Sequence, residues 1–240
     1  MLTLLNLLSA LAMLVWGTYL VRTGMLRVYG AQLRHILSTS IRHRGLAFLA
    51  GVGVTGLVQS SNATSVIVCS FVGQGLVGVG PALAIMLGAD VGTALMTGIL
   101  SLDLSWVSPL LIFCGVIAHL SHKQKPSGQL GRVAIGLGFI MLALQLIGAA
   151  TRPMTEVEGI DVLFSSITGD LLLDVLLGAL FAIVTYSSLA AVLLAASLAA
   201  SGVISVEVGL CVVVGANLGS GVAVLLGASS QNAAGRRVAV

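Results

Sequence analysis

Apolar residues fill long, nearly unbroken blocks of this chain, and the polar positions inside them are few and clustered. No Lys or Arg occurs between Gly45 and His122, and none between Pro153 and Gly235. A helix needs about 20 residues to cross a bilayer, so each block holds several spans. The pattern predicts membrane helices over 45–58, 60–80, 82–100 and 104–120, then 130–150, then 171–184, 187–204 and 206–227. The pieces 45–58 and 171–184 are short and stop at polar clusters. They read as broken or re-entrant helices, which a membrane tolerates only where protein or a water-filled cavity covers the freed backbone. The first 21 residues are apolar, but no basic stretch precedes them and no small-residue cleavage site follows. They read as a retained first helix, not a signal peptide. The expected fold is an all-α integral membrane protein.

The polar clusters recur. Val58-Gln59-Ser60-Ser61-Asn62-Ala63 aligns with Thr185-Tyr186-Ser187-Ser188-Leu189-Ala190 at an offset of 127. At the same offset Gly88-Ala89-Asp90-Val91-Gly92-Thr93 aligns with Gly215-Ala216-Asn217-Leu218-Gly219-Ser220, Gly51 with Gly178, and Gly75 with Gly202. One ungapped register for all of these predicts two homologous halves, 1–127 and 128–240. The counterpart of the 104–120 span would begin near residue 231 and run past the end, so the second half reads as lacking its last helix and the chain as C-terminally truncated.

Charge adds an orientation. Segment 22–44 carries five Arg and no acid, whereas its counterpart 149–171 carries Arg152 against Glu156, Glu158, Asp161 and Asp170. Segments 121–132 and 236–240 are also basic. The positive-inside rule puts 22–44, 121–132 and 236–240 in the cytoplasm, and 101–109 and 150–170 outside. Equivalent loops then lie on opposite sides. Inverted repeats with interrupted helices are a signature of secondary transporters. Composition agrees with the membrane reading: 58% of residues are hydrophobic, 8% are charged, and mean hydropathy is +1.12. A net charge of +3 gives no argument for nucleic acid. Cys69, Cys114 and Cys211 lack metal spacing and read as small core residues. The histidines lie in or beside basic loops. No nucleophile–base pairing, phosphate loop or zinc spacing is present, which argues against an enzyme.

The clusters suggest a chemistry. Ser, Thr, Asn and Gln within a membrane must face protein or water. A helix broken there offers N–H groups to an anion at one half-helix and carbonyls to a cation at the other. Many donors with no fixed charge suit an oxyanion such as phosphate, bound by Gln59, Ser60, Ser61, Asn62, Thr64, Tyr186, Ser187 and Ser188. With no Lys or Arg in either block, the anion's charge must be balanced by co-bound cations. A lone carboxylate in an apolar run is a functional candidate, so Asp90, with Thr93, Asn217 and Ser220, is the expected sodium ligand set. A structural capping carboxylate is the alternative for Asp90. Asp174 and Glu207 are expected at the interfaces.

These motifs resemble a known family. "QSSNAT" followed by "GADVGTALM", then "YSSLAA" followed by "GANLGSGVAVLL", is similar to the bacterial sodium/phosphate cotransporters, related to the type II sodium–phosphate cotransporters of animals. That family carries a duplicated Gln-Ser-Ser-Ser-Ala-Thr motif, each copy followed by Gly-Ala-Asn-Ile-Gly-Thr. This chain departs from it at Asn62, Tyr186, Leu189 and Asp90. The resemblance implies sodium-coupled movement of inorganic phosphate, with Gln59, Ser60, Ser61, Ser187 and Ser188 at the substrate site. The expected partners are phosphate, Na⁺ as coupling ion and the bilayer, with no other cofactor. The expected location is the bacterial inner membrane, and self-association stays open. A non-transporting membrane module in phosphate sensing, or a transporter of another oxyanion, is the competing reading.

Overall fold

The computed structural model describes residues 2–40, 43–102, 106–122, 125–155 and 170–227. Among them the helices are α1 (Leu2–Thr39), α2 (Arg44–Val58), α3 (Ser61–Gly73), α4 (Val79–Leu100), α5 (Val107–Ser121), α6 (Pro126–Thr155), α7 (Leu171–Thr185), α8 (Ser188–Ala200) and α9 (Val206–Gly227). The described residues form no strand. Three of the four prolines fall where a helix tolerates them. Pro81, Pro109 and Pro126 each lie in a first turn, where the missing N–H has no intrahelical partner to lose.

Four helices, α1, α4, α6 and α9, are long and apolar enough to cross a membrane. Of the shorter ones, α2, α3, α7 and α8 come in two pairs, each broken at a polar cluster, and α5 stands apart from them. The outer faces are greasy in a way that only lipid or protein would cover. On α4 Leu83, Leu87, Val91 and Leu95 are exposed, and at the equivalent positions of α9 so are Leu210, Val214, Leu218 and Val222. Contiguous apolar stripes of this kind mark a surface that meets something other than water. This is a membrane protein built of helices.

The predicted spans find their helices, with two differences. Segment 22–44 is not a loop through most of its length: α1 continues unbroken to Thr39 and carries Arg22, Arg27 and Arg34 within it. The run of charges mimics a loop in the sequence because its first three fit one helix that extends beyond the apolar stretch, while Arg44 opens α2. The 60–80 span is really the short α3, ended at Gly73, a turn with Gly75 at φ +73°, and the start of α4. Gly202, 127 residues on, makes the same turn at φ +75°. Only glycine adopts that conformation without a steric penalty. The expectation of a missing last helix concerns residues beyond 227, outside the described residues. Of the cysteines, Cys69 is buried as expected, but Cys114 is exposed on α5 among Leu110, Phe113 and Ile117.

Packing follows small residues. α1 lies along α6, α2 along α4, α5 along α6 and α7 along α9. In the α2–α4 pair a Cβ on Gly88 would collide with the carbonyl oxygen of Phe48, and one on Gly51 with that of Ile85. In the α7–α9 pair the collisions are Gly215 with Val175 and Gly178 with Val212. Each residue in the second set stands 127 after its equivalent in the first. Glycine at these points lets helix backbones touch, which substitutes for the hydrophobic drive that lipid cannot supply. Gly88→Ala is therefore expected to wedge α2 off α4 at about 1–3 kcal/mol, the usual cost of overpacking. Gly53→Ala on the same helix pair, where no atom lies within 4 Å, is expected to be neutral or to stabilise slightly. Thermal midpoints of the two purified variants check this.

Candidate functional site

Two breaks organise the site. α2 ends where Gln59 turns left-handed at φ 55° and ψ 36°, and α7 ends where Tyr186 does so at φ 52° and ψ 32°. Neither is glycine, so each position carries steric strain of about 1–2 kcal/mol. The next residue is extended in both cases: Ser60 at φ −153°, Ser187 at φ −149°. Each serine then caps a new helix. Ser60 Oγ accepts from Ala63 N at 3.2 Å, and Ser187 Oγ accepts from Ala190 N at 3.2 Å. Serine is among the best residues for this, because its short side chain satisfies one of the orphan N–H groups of a first turn. The dipeptides Gln59-Ser60 and Tyr186-Ser187 therefore encode the same event: stop one helix, turn, start another.

The two new helices meet at their N-termini. Ser61 Oγ and Ser188 Oγ, each the first residue of its helix, lie 3.1 Å apart in a buried hydrogen bond. Asn62, 1% exposed, bridges further across. Its Nδ2 donates to the Tyr186 carbonyl at 3.3 Å, and its Oδ1 accepts a hydrogen bond from Ser220 Oγ on α9. Thr64 is tied to Thr55 of α2, hydroxyl to hydroxyl, at 2.9 Å. Thr185 Oγ1 donates to Phe181 O at 2.7 Å, within α7. Gln59 is buried with its Oε1 unpartnered among the described residues.

Beside the cluster is a cavity of about 190 Å³, lined by Tyr19, Arg22, Gln59, Ser60, Thr185 and Ser187 among others. Arg22 is the cationic side chain there. Its Nη1 donates to the Tyr186 carbonyl at 3.0 Å, and its guanidinium lies 5.9 Å from the Tyr19 ring centre and 5.5 Å from that of Tyr186. This corrects the expectation that no base reaches the polar cluster. Arg22 lies outside the two apolar blocks in sequence, yet α1 carries it to the break. One signal could have found it: Arg22 directly follows the apolar run that ends at Leu20-Val21, and a charge at the end of a predicted span is a functional candidate. The Thr55 partner of Thr64 was equally hidden, because a lone threonine in a helix gives no pairing signal.

The structure thus brings together Gln59, Ser60, Ser61, Asn62, Thr64, Tyr186, Ser187, Ser188 and Ser220. It does not bring in the rest of the expected sodium set. Thr93 is buried on α4 and bonds its own helix, donating to Ala89 O at 3.1 Å. Asp90 and Asn217 occupy the exposed faces of α4 and α9. Asp174, expected at an interface, stands in the first turn of α7 as that expectation requires, but it is buried, at 2% exposed. Glu207 is exposed in the first turn of α9.

Known proteins agree with the motif reading. The chain is 64% identical over 240 residues to a protein of Escherichia coli K12 whose full name is "Putative inorganic phosphate export protein YjbB", and 63% identical to the Salmonella typhimurium protein of the same name. Each alignment covers all of this chain and 44% of the relative, so the chain spans less than half the length of those proteins. It is 26% identical to "Uncharacterized protein YqeW" of Bacillus subtilis, covering 78% of that protein. No solved structure matches. The sequence pattern described as Na+/Pi-cotransporter matches residues 13–149 and 155–235, and the chain belongs to that family.

Proposed function

We propose that this chain is the core of a transporter that moves inorganic phosphate across the bacterial inner membrane, coupled to Na⁺, by alternating access between two inverted repeats, 1–127 and 128–240. The observation that carries the reading is the hydroxyl pair Ser61–Ser188 at 3.1 Å, formed by the first residues of α3 and α8. Two helix N-termini that meet head to head concentrate unsatisfied N–H groups and two positive dipole ends in one place. That suits an oxyanion. Phosphate is the oxyanion named in the family's description and in the enterobacterial relatives' name.

In this reading phosphate sits beside Gln59, Ser60, Ser61, Ser187 and Ser188, with Asn62, Thr64 and Tyr186 shaping the site from behind. The Ser61–Ser188 contact lies between the halves, so rocking one half against the other opens the site first to one side and then to the other. Thr93 and Ser220, equivalent positions on α4 and α9, are the buried oxygen donors of the sodium set. Asp90 and Asn217 join them only if another surface or a different state turns their faces inward. The relatives' name says export; a symporter runs whichever way its gradients drive it.

Radiolabelled phosphate flux into proteoliposomes holding the full-length protein, with and without a Na⁺ gradient, tests this. Uptake is expected to follow the gradient. Flux indifferent to Na⁺ would remove the coupling and leave a phosphate carrier. Absent flux, with phosphate still bound, would favour a sensing module. Asp90→Asn is expected to change Na⁺ dependence if it is a ligand, and to leave it intact if its place on the outer face of α4 is all it has.

A further inference from the structure

Three charged side chains stand out. Asp90 lies in the lipid-facing stripe of α4, and nothing in the structure shows what covers it. Asp174 is buried with Oδ1 unpartnered among the described residues, but it lines neither of the cavities described below. Arg22 is different, because it lines two separate cavities.

The first of these is the 190 Å³ space at the polar cluster. The second, about 330 Å³, is a groove between α1 and α3 lined by Arg22, Gly30, Arg34, Ala63, Ile67 and Tyr186 among others. Arg22 and Tyr186 stand at the junction. Along α1, Arg22, Leu26, Gly30 and Arg34 follow one another at four-residue spacing, so they share one face, and all four line the groove. Arg34 is exposed at its far end. Gly30 leaves the floor open: a Cβ there would meet nothing within 4 Å. Arg132 also lies over the Tyr19 ring, 5.8 Å from its centre, and adds positive potential near Arg22.

We propose that the Arg34–Gly30–Arg22 face of α1 is the anion's path to the site from the basic, cytoplasmic end of the molecule, with Arg22 the residue that neutralises phosphate as it passes between the two cavities. The inference rests on phosphate being the cargo. Three features make Arg22 suited to the task. Its guanidinium is always charged and offers a planar fork of donors that matches phosphate oxygens. Among the described residues it donates one hydrogen bond, from Nη1 to a backbone carbonyl. That carbonyl belongs to Tyr186, at the left-handed turn that sets the direction of α8, so an anion pulling Arg22 away loosens a contact at the break itself. The Tyr19 and Tyr186 rings hold the cation in place without cancelling its charge. Gln59, buried beside it with Oε1 unpartnered, has an amide end with no established role in the fold, and its terminal amide can turn its N–H₂ towards an anion.

The test uses full-length protein, read by equilibrium binding of inorganic phosphate in detergent and by flux in proteoliposomes. Arg22→Gln is expected to raise both Kd and KM for phosphate roughly tenfold, the loss of one charge-assisted hydrogen bond. KM for Na⁺ is expected to stay unchanged. Arg22→Lys keeps the charge and is expected to fall between the two. Gly30→Leu fills the groove without touching the site. It is expected to lower kcat/KM for phosphate presented on the groove side, with Kd in detergent unchanged. A merely structural Arg22 would move melting temperature, Na⁺ dependence and phosphate affinity together, and Lys would not rescue. If the wild type neither binds nor moves phosphate, the cargo is wrong and this inference falls with it. If the wild type does and Arg22→Gln matches it, this inference alone falls. Should Arg22→Gln fail to fold, Arg22→Lys and Gly30→Leu decide: wild-type phosphate kinetics in both overturns the path.

Discussion

The double variant Ser61→Cys, Ser188→Cys is expected to lose phosphate flux on oxidation and to recover it on reduction. The two hydroxyl oxygens are 3.1 Å apart, one in each half of the chain. Side chains in contact at that distance are candidates for a disulfide, whose sulfurs replace the two hydroxyls. The bond would lock α3 to α8 in the arrangement seen here. Rocking requires that contact to open or shear, so a locked protein binds its cargo on one face and stops. The background matters: Cys114 is exposed and Cys211 partly so, and both are best replaced by serine, whereas Cys69 is buried and can stay. Flux measured before oxidation, after it, and after reduction is the readout. Undiminished flux in a fully cross-linked sample would mean that the halves do not separate at this point, and the alternating-access reading would fail. Single-cysteine variants treated the same way control for oxidation elsewhere.

Much of this architecture could be read in the residues because membrane helices announce themselves twice, by apolar length and by gaps in charge. The breaks were legible for a local reason. A Gln-Ser-Ser or Tyr-Ser-Ser run inside apolar sequence has few options in a bilayer, and serine is a helix N-cap by chemistry. The single offset of 127 then tied Gly88 to Gly215 and Gly51 to Gly178, and the structure gives each pair the same close approach to a neighbouring carbonyl. What sequence could not give was which side of a helix faces inward. Asp90 and Asn217 share a motif with Thr93 and Ser220, yet three residues along a helix is nearly a full turn, and the remaining angle separates the exposed from the buried pair. Arg22 was lost for the opposite reason. Counting charges by segment put it in a loop with Arg27 and Arg34, whereas helical geometry puts it one face of α1 away from Arg27 and beside Tyr186.

The second large effect is expected at Asn62. Asn62→Leu removes a side chain that serves both halves: its Nδ2 donates to the Tyr186 carbonyl at 3.3 Å and its Oδ1 accepts from Ser220. Shape alone should not forbid the change, because the equivalent position in the other half is already Leu189, 2% exposed. The cost is polar. Ser220 Oγ would be left buried without Asn62, and among the described residues the Tyr186 carbonyl would keep only Arg22. A buried group stripped of its partner costs about 1–3 kcal/mol, so a clear drop in thermal midpoint is expected. A larger drop is expected in flux, because the turn at Tyr186 loses one of the two groups that hold it. Ser220→Ala should cost less alone, since it leaves only an acceptor unsatisfied. The decisive measurement is the double-mutant cycle. If Asn62 and Ser220 act as one bridge between α3 and α9, Ser220→Ala should do almost no further damage once Asn62→Leu is present, with a coupling of about 0.5–3 kcal/mol. Strict additivity would mean that the contact exists without holding α3 and α9 together.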